Sequence, residues 1–284
     1  MILALLLLLL LLVAVGAGAL GSLVGLGGGI VIVPVLVIYL QVPLPYAVGA
    51  SAVSVLATSS SSGAAFVKDR LTDLRISNFL QVASVPGALV GAAATVLLAS
   101  SHLTAALIIV LGLILFATLP QAILHRRDEL PTPRTPDETS ARMNFSGSYH
   151  DARLGREVAY RAGPVRPSLF VMFSAGIISG MFGIGSGVLN VVALERWMGL
   201  PMKVATATSN FMIGVTVAAG ASVLVVAGYV SPVLAATVAL GTTVGAYFGS
   251  RLLPRLSNRV VRAIFIPVVA VLAVELILRG LNVL

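Results

Sequence analysis

A polytopic all-α membrane protein is the fold class this sequence predicts, and three observations predict it. Of the 284 residues, 58% are hydrophobic and only 10% charged, with a mean hydropathy of +1.06, whereas soluble domains carry roughly 25% charged residues. The apolar residues fall in long continuous runs, and roughly 20 such residues cross the hydrocarbon core as a helix. These runs lack the period-2 alternation of transmembrane strands, which excludes a β-barrel.

The first run, Ile2–Leu23, extends to about Leu40 and is interrupted by the glycine motif at 25–29. It resembles a signal peptide but lacks a basic leading region and runs straight into that motif, so an uncleaved helix is expected. Ala47–Val67, Ile76–Ala99 and Leu103–Leu124 follow. After a hydrophilic interval come Ser168–Met198, Val204–Ala227, Pro232–Leu253 and Val261–Leu278. The chain thus divides into a membrane repeat over 1–124, a linker over 125–167 and a second membrane repeat over 168–284.

The interval holds eight of the sixteen Arg and six of the ten carboxylates. Asp128–Ser140, rich in Pro, Thr and charge, reads as a flexible linker. Ser148–Arg161 alternates through Tyr149, Ala152, Leu154, Val158 and Tyr160 around Gly155, which fits a small β-ribbon.

Sliding the chain against itself gives one dominant match, at an offset of 158 residues. Gly25-Leu-Gly-Gly-Gly-Ile30 lies over Gly183-Ile-Gly-Ser-Gly-Val188, and the register holds through Pro43/Pro201, Ala47/Ala205, Ser51/Ser209 and Thr58/Thr216. After a four-residue slip, Gly87 and Gly91 meet Gly241 and Gly245. Two homologous halves are expected.

Loop charge sets their relative orientation. Lys68, Arg70 and Arg75 follow the second run, and the Arg-rich interval follows the fourth, while Gln41–Pro45 carries no charge. In the second half Arg196 and Lys203 follow the glycine-bearing run, and Arg251, Arg255, Arg259 and Arg262 follow the third. The positive-inside rule places all these clusters in the cytoplasm. Position 41 then lies outside, its repeat mate 199 inside, and the halves are inverted. The glycine-broken run of the second half becomes a re-entrant hairpin. By symmetry so does that of the first, where the longer arm Ile2–Val24 is also long enough to span alone. Both termini are then expected outside and the linker in the cytoplasm. The net charge of +8 records this topology in a cell-membrane protein, and no nucleic-acid partner is expected.

Non-helical backbone at membrane depth survives only where it is buried in protein or lines a wet cavity. The tips Gly25, Gly27, Gly28, Gly29 and Gly183, Gly185, Ser186, Gly187 are therefore candidate binding elements. The helix after each tip points free N–H groups at the cavity, which suits an anion. Ser51, Ser54 and Thr58 share one face of the following run, and Thr208, Ser209 and Asn210 occupy its counterpart. Asn190, three residues past the second tip, is placed to touch a ligand. The GxxxG pairs read as close helix packing. Glu275, a carboxylate inside the last run, is a candidate for proton coupling, with Arg279 as its i,i+4 neighbour.

With no Cys and three His, the sequence offers no thiol chemistry, no metal site and no cofactor. Nor does it offer a buried nucleophile–base pair, which argues against an intramembrane enzyme. A non-transporting assembly factor is the other alternative, with its activity in the polar interval. The leading expectation is a permease for a small anionic solute in the lipid bilayer.

Gly25–Gly29 followed by Val33-Pro34-Val35-Leu36, together with Gly180–Gly187 and Ala205–Phe211, resembles the TauE/SafE family of sulfite exporters. This family is also called the 4-toluene sulfonate uptake permeases. The likeness covers nearly the whole chain and includes Tyr149, Asp151, Gly155 and Tyr160 of the interval. It departs at Ser186, where the second tip has lost a glycine, at Val192 opposite Pro34, and at the polar Asn190. The resemblance implies transport of small sulfur-containing anions such as sulfite, organosulfonates or sulfoacetate, with proton coupling compatible.

Overall fold

The computed structural model describes residues 2–24, 27–99, 104–124, 134–151, 155–252 and 258–281. In the first half α1 (Ile2–Val24) and α2 (Gly29–Ile38) are followed by α3 (Leu44–Lys68), α4 (Leu74–Leu98) and α5 (Thr104–Leu124). The interval contributes α6 (Glu138–Arg142) and an antiparallel hairpin of β1 (Ser146–Asp151) and β2 (Arg156–Arg161). The second half runs through α7 (Arg166–Phe182), α8 (Gly187–Val192), a π-helical turn (Ala193–Trp197), α9 (Met202–Val226), α10 (Pro232–Leu252) and α11 (Asn258–Gly280).

Among the described residues five helices are long and apolar enough to cross a membrane, within α1, α3, α4, α9 and α10. Their outward faces carry large exposed apolar side chains such as Leu12, Val82, Leu97, Val226 and Leu240. In water such a surface would be an aggregation patch; in a bilayer it faces acyl chains. At 1.5 Å per residue, α1 is about 34 Å long, α7 about 25 Å and α2 about 15 Å. Only α1 of these three has the reach to span alone.

The halves repeat the same backbone at the sequence offset of 158. Left-handed residues recur in register at Gly27/Gly185, Gln41/Gly199 and Arg70/Gly228. Val42 N–H donates to Leu36 as Leu200 N–H does to Leu194, and Leu71 N–H donates to Phe66 as Tyr229 N–H does to Leu224. Pro43 and Pro201 each precede the first residue of their helix with φ −54° and −57°. Proline fixes φ and lacks the N–H that a first turn leaves unpaired, so both positions start helices well.

Packing between the halves is reciprocal. α1 lies on α10 and α7 on the equivalent α4, while α3 packs on its mate α9 and α5 on its mate α11. Small residues allow the close contacts: a methyl group on Gly91 would lie 2.0 Å from the Ile177 carbonyl oxygen, and one on Gly245 would lie 1.9 Å from that of Val15. The GxxxG pairs thus set the α4–α7 and α1–α10 spacing, as their sequence predicts.

The hairpin forms where the alternation predicts it, turning at Gly155 (φ +62°). It sits against the end of the bundle where α3 stops and α9 starts. Tyr149 is buried in a cluster with Phe66, Leu71, Val204 and Ala207. The Tyr160 hydroxyl donates to Asp73 at 3.0 Å, and Asp73 in turn accepts from the Arg75 and Ile76 N–H groups that begin α4. Burial and the Asp73 charge both raise the Tyr160 pKa above the ordinary tyrosine value. One difference from the expected linker is α6. Asp137 accepts from Ser140 N–H, and that cap turns 138–142 helical within a stretch whose composition reads as coil.

Candidate functional site

Each half breaks its first run at the glycine motif because the chain there adopts φ values that side chains disfavour. Gly27 (φ +68°) and Gly185 (φ +70°) hold equivalent left-handed positions, where a Cβ would cost roughly 1–2 kcal/mol. Gly25 lies outside the described residues. Beyond the breaks, α2 begins at Gly29 after Gly28, and α8 begins at Gly187 after Ser186.

The two tips meet inside the bundle. A methyl group built on Gly29 would sit 2.6 Å from the Gly183 carbonyl oxygen and 2.7 Å from Ser51 Oγ. Ser51 Oγ donates to that same carbonyl at 2.7 Å, and Ser209 Oγ, its repeat mate, donates to the Gly187 carbonyl at 3.3 Å. Thus α3 and α9 each hold the second glycine break by one hydroxyl. Val55 and Ile213 pack beside Gly27 and close the first tip.

The remaining hydroxyls and amides divide by what they bind. Thr58 returns its hydroxyl to the Ser54 carbonyl at 2.9 Å, an i−4 bond common in membrane helices. Thr208 Oγ1 accepts from Asp73 N–H at 3.0 Å. Asn210 Nδ2 donates to the Ser22 and Thr206 carbonyls, both at 3.2 Å, tying α9 to the end of α1. Thr208 and Asn210 thus tie elements together, while Thr58 satisfies itself on its own helix. Among the described residues five side chains have buried polar atoms without a partner in the protein: Thr72 Oγ1, in the connection between α3 and α4, and Ser54 Oγ, Ser179 Oγ, Ser186 Oγ, and both Nδ2 and Oδ1 of Asn190. An unpaired buried polar atom costs roughly 1–3 kcal/mol, so a cluster of them near two backbone breaks marks a place built for something polar.

No charge accompanies them. Among the described residues every buried polar side chain is Ser, Thr, Asn or Gln. The site therefore offers backbone dipoles, hydroxyls and amides, and no formal cation.

The sulfite exporter TauE/SafE family matches residues 10–276. The chain belongs to that family. A curated relative, the "Probable membrane transporter protein YunE" of Bacillus subtilis (strain 168), is 27% identical over 227 residues, covering 79% of this chain and 77% of that protein. No solved structure matches the chain. This TauE/SafE protein is a multi-pass membrane transporter and not an enzyme.

Glu275 of this TauE/SafE chain lies away from the tips. It is half-buried on α11 and accepts from the Tyr39 hydroxyl, just past α2, at 3.1 Å to each carboxylate oxygen. Arg279 donates to the Ile38 carbonyl at 2.7 Å and also to Gln41 Oε1. Glu275, Arg279, Ile38 and Gln41 line a cleft of about 580 Å³ with Ala105, Ile108 and Gly280. Sequence reasoning missed Ser179 and Thr242. Ser179 sits four residues before Gly183 on α7, and Thr242, inside the Gly241–Gly245 pair, donates to the Ser54 carbonyl at 3.2 Å. Their positions beside motif glycines were the available signal.

Proposed function

We propose that this chain is a secondary transporter of small oxyanions, with sulfite and organosulfonates as its solute class, working by alternating access. One observation carries the reading: two glycine tips from homologous halves meet around buried, uncharged polar groups, among them the unpartnered Ser186 and Asn190. Backbone breaks of this kind at the interface of two repeats form the substrate sites of many secondary transporters.

The halves are inverted repeats, 1–124 and 168–284, each opening with a re-entrant hairpin. The reciprocal pairing of α1 with α10 and of α7 with α4 supports this, as does the loop charge. Residues 125–167 then lie in the cytoplasm of a cell-membrane protein and both termini lie outside. Gly25, Gly27–Gly29, Gly183 and Gly185–Gly187 hold the anion, with Ser51, Ser54, Thr58, Thr208, Ser209 and Asn210 along the route. Rocking one hairpin pair against the other exposes the tips to each side in turn.

Flux of labelled sulfite, sulfate and organosulfonates into proteoliposomes tests the reading. Uptake of sulfite or a sulfonate above protein-free vesicles is expected. Movement of a cation or a neutral solute instead, with none of these anions carried, sinks it. Glu275 is the carboxylate assigned to proton coupling. Glu275→Gln keeps an acceptor for Tyr39 and should abolish any stimulation of uptake by a proton gradient; undiminished stimulation removes Glu275 from that role.

A further inference from the structure

Asn190 is wholly buried, and both its amide nitrogen and its amide oxygen lack a partner in the protein. Ser186, one turn earlier, is 3% exposed with its hydroxyl also unpartnered, and Asn190 N–H donates to the Ser186 carbonyl at 3.0 Å. Side chains on a helix lean toward its N-terminal end, so the Asn190 amide lies over the turn that carries Ser186. An amide offers donors on one side and an acceptor on the other, whichever way it is flipped. A partner that satisfies both must bring an acceptor and a donor.

The first half does not duplicate these groups. At the offset of 158 the counterparts of Ser186 and Asn190 are Gly28 and Ile32, and Ile32 is fully buried. Polar recognition is therefore one-sided and belongs to the second hairpin. Charge supplies the other constraint. The desolvation cost of an ion grows with the square of the charge on one centre. At equal size a compact dianion such as sulfate therefore pays roughly fourfold what a monoanion does, and two separated charges about twice. No formal cation is buried among the described residues to offset it.

From these two constraints we infer that the transported species is a singly charged oxyanion carrying its own hydrogen-bond donor, and that Asn190 is the residue that selects it. Hydroxylated sulfonates and hydrogensulfite meet both conditions; dianions such as sulfate do not. Asn190 Nδ2 donates to an S–O oxygen, Oδ1 accepts from the solute O–H, and Ser186 Oγ supplies a second contact to the anion. The inference rests on the tips being the solute site.

Three solutes of similar size separate the terms: 2-hydroxyethanesulfonate (one charge, one donor), ethanesulfonate (one charge, no donor) and sulfoacetate (two charges at neutral pH). With the full-length protein in proteoliposomes, 2-hydroxyethanesulfonate should enter at least about tenfold faster than ethanesulfonate, the effect of one unmade buried hydrogen bond. Sulfoacetate should stay at the level of protein-free vesicles. Asn190→Leu should bring the ratio of the two monoanions to about one, and Asn190→Ser, smaller but still polar, should keep part of it. Equal wild-type rates for the two monoanions, or sulfoacetate carried as fast as 2-hydroxyethanesulfonate, overturns the inference while leaving anion transport standing. Should no anion move while another solute does, the parent reading fails with it. The wild-type comparison decides the matter even where Asn190→Leu does not fold.

Discussion

Ser51 and Gly183 join the two halves of the chain at the core. The α3 hydroxyl donates to the carbonyl at the end of α7 across 2.7 Å, with Ser51 fully buried. Gly183 is left-handed (φ +62°), and a Cβ there would lie 2.5 Å from the Val48 carbonyl oxygen, also on α3. One helix of the first half thus fixes the glycine break of the second by a bond and by an approach that only glycine permits.

Ser51→Ala removes the donor and nothing else of size. It should lower stability by about 1 kcal/mol and slow transport, because the tip loses its anchor. Ser60→Ala is the control: Ser60 is exposed and bonds only the Leu56 carbonyl of its own helix. Thermal unfolding in detergent, alongside flux, checks the pair. Equal midpoints for both variants would remove Ser51 from this role.

Helix spacing predicts a second contrast, between a glycine of the α1–α10 contact and an exposed one on α1. Gly245→Ala would place a methyl group 1.9 Å from the Val15 carbonyl oxygen, and such overpacking costs typically 1–3 kcal/mol. Gly16 is helical and has nothing within 4 Å of its would-be Cβ. Gly16→Ala should therefore stabilise α1 by up to about 1 kcal/mol through helix propensity. Unfolding midpoints should move in opposite directions, and a shared direction would contradict the packing.

Much of this architecture was legible because membrane helices announce themselves by length and glycine breaks by repetition. The alternation from Tyr149 to Tyr160 foretold the hairpin, since one face had to bury Tyr149 and Val158. Partnering was not legible. Ser51, Ser54 and Thr58 share a face by spacing, yet Ser51 bonds Gly183, Thr58 bonds its own helix and Ser54 Oγ bonds nothing in the protein. Those outcomes depend on which foreign carbonyl comes within reach, and periodicity holds no record of that. Asn190 stood out because an amide in an apolar run is costly, whereas Ser179 looked like any other small hydroxyl. The cap at Asp137 was hidden in the same way, since its partners Val165 and Arg166 lie 28 and 29 residues on.

Inversion predicts opposite labelling just after the glycine-broken run of each half. The protein has no cysteine, so single introductions report without background. Gln41→Cys sits after α2 and Arg196→Cys after α8, and both positions are exposed. In intact cells an impermeant thiol reagent should modify position 41 and reach position 196 only after the membrane is opened. Modification of both from outside would exclude the inverted arrangement.

Asp137 predicts a pH-dependent attachment of the polar interval. Its Oδ1 accepts from Ser140 N–H at 2.8 Å, and its Oδ2 accepts from Val165 N–H at 3.0 Å and Arg166 N–H at 3.1 Å. One carboxylate thus caps the starts of both α6 and α7. Partial burial pushes its pKa up, but the N–H bonds from Arg166, Ser140 and Val165 and the Arg166 charge outweigh that and hold it below the usual range. A depressed carboxyl stabilises the fold fully above the unfolded value, about 3.9, and loses that contribution as pH falls through the lower folded value. Protease sensitivity of 134–166 should therefore be flat through neutral pH and rise only in acid. Asp137→Asn keeps a single acceptor oxygen and can serve one helix start well but not both. It should cost about 1 kcal/mol, raise cleavage of the interval at neutral pH, and blunt the acid-dependent rise. Wild-type cleavage kinetics in this variant at both pH values would show that the double cap does not hold the interval in place.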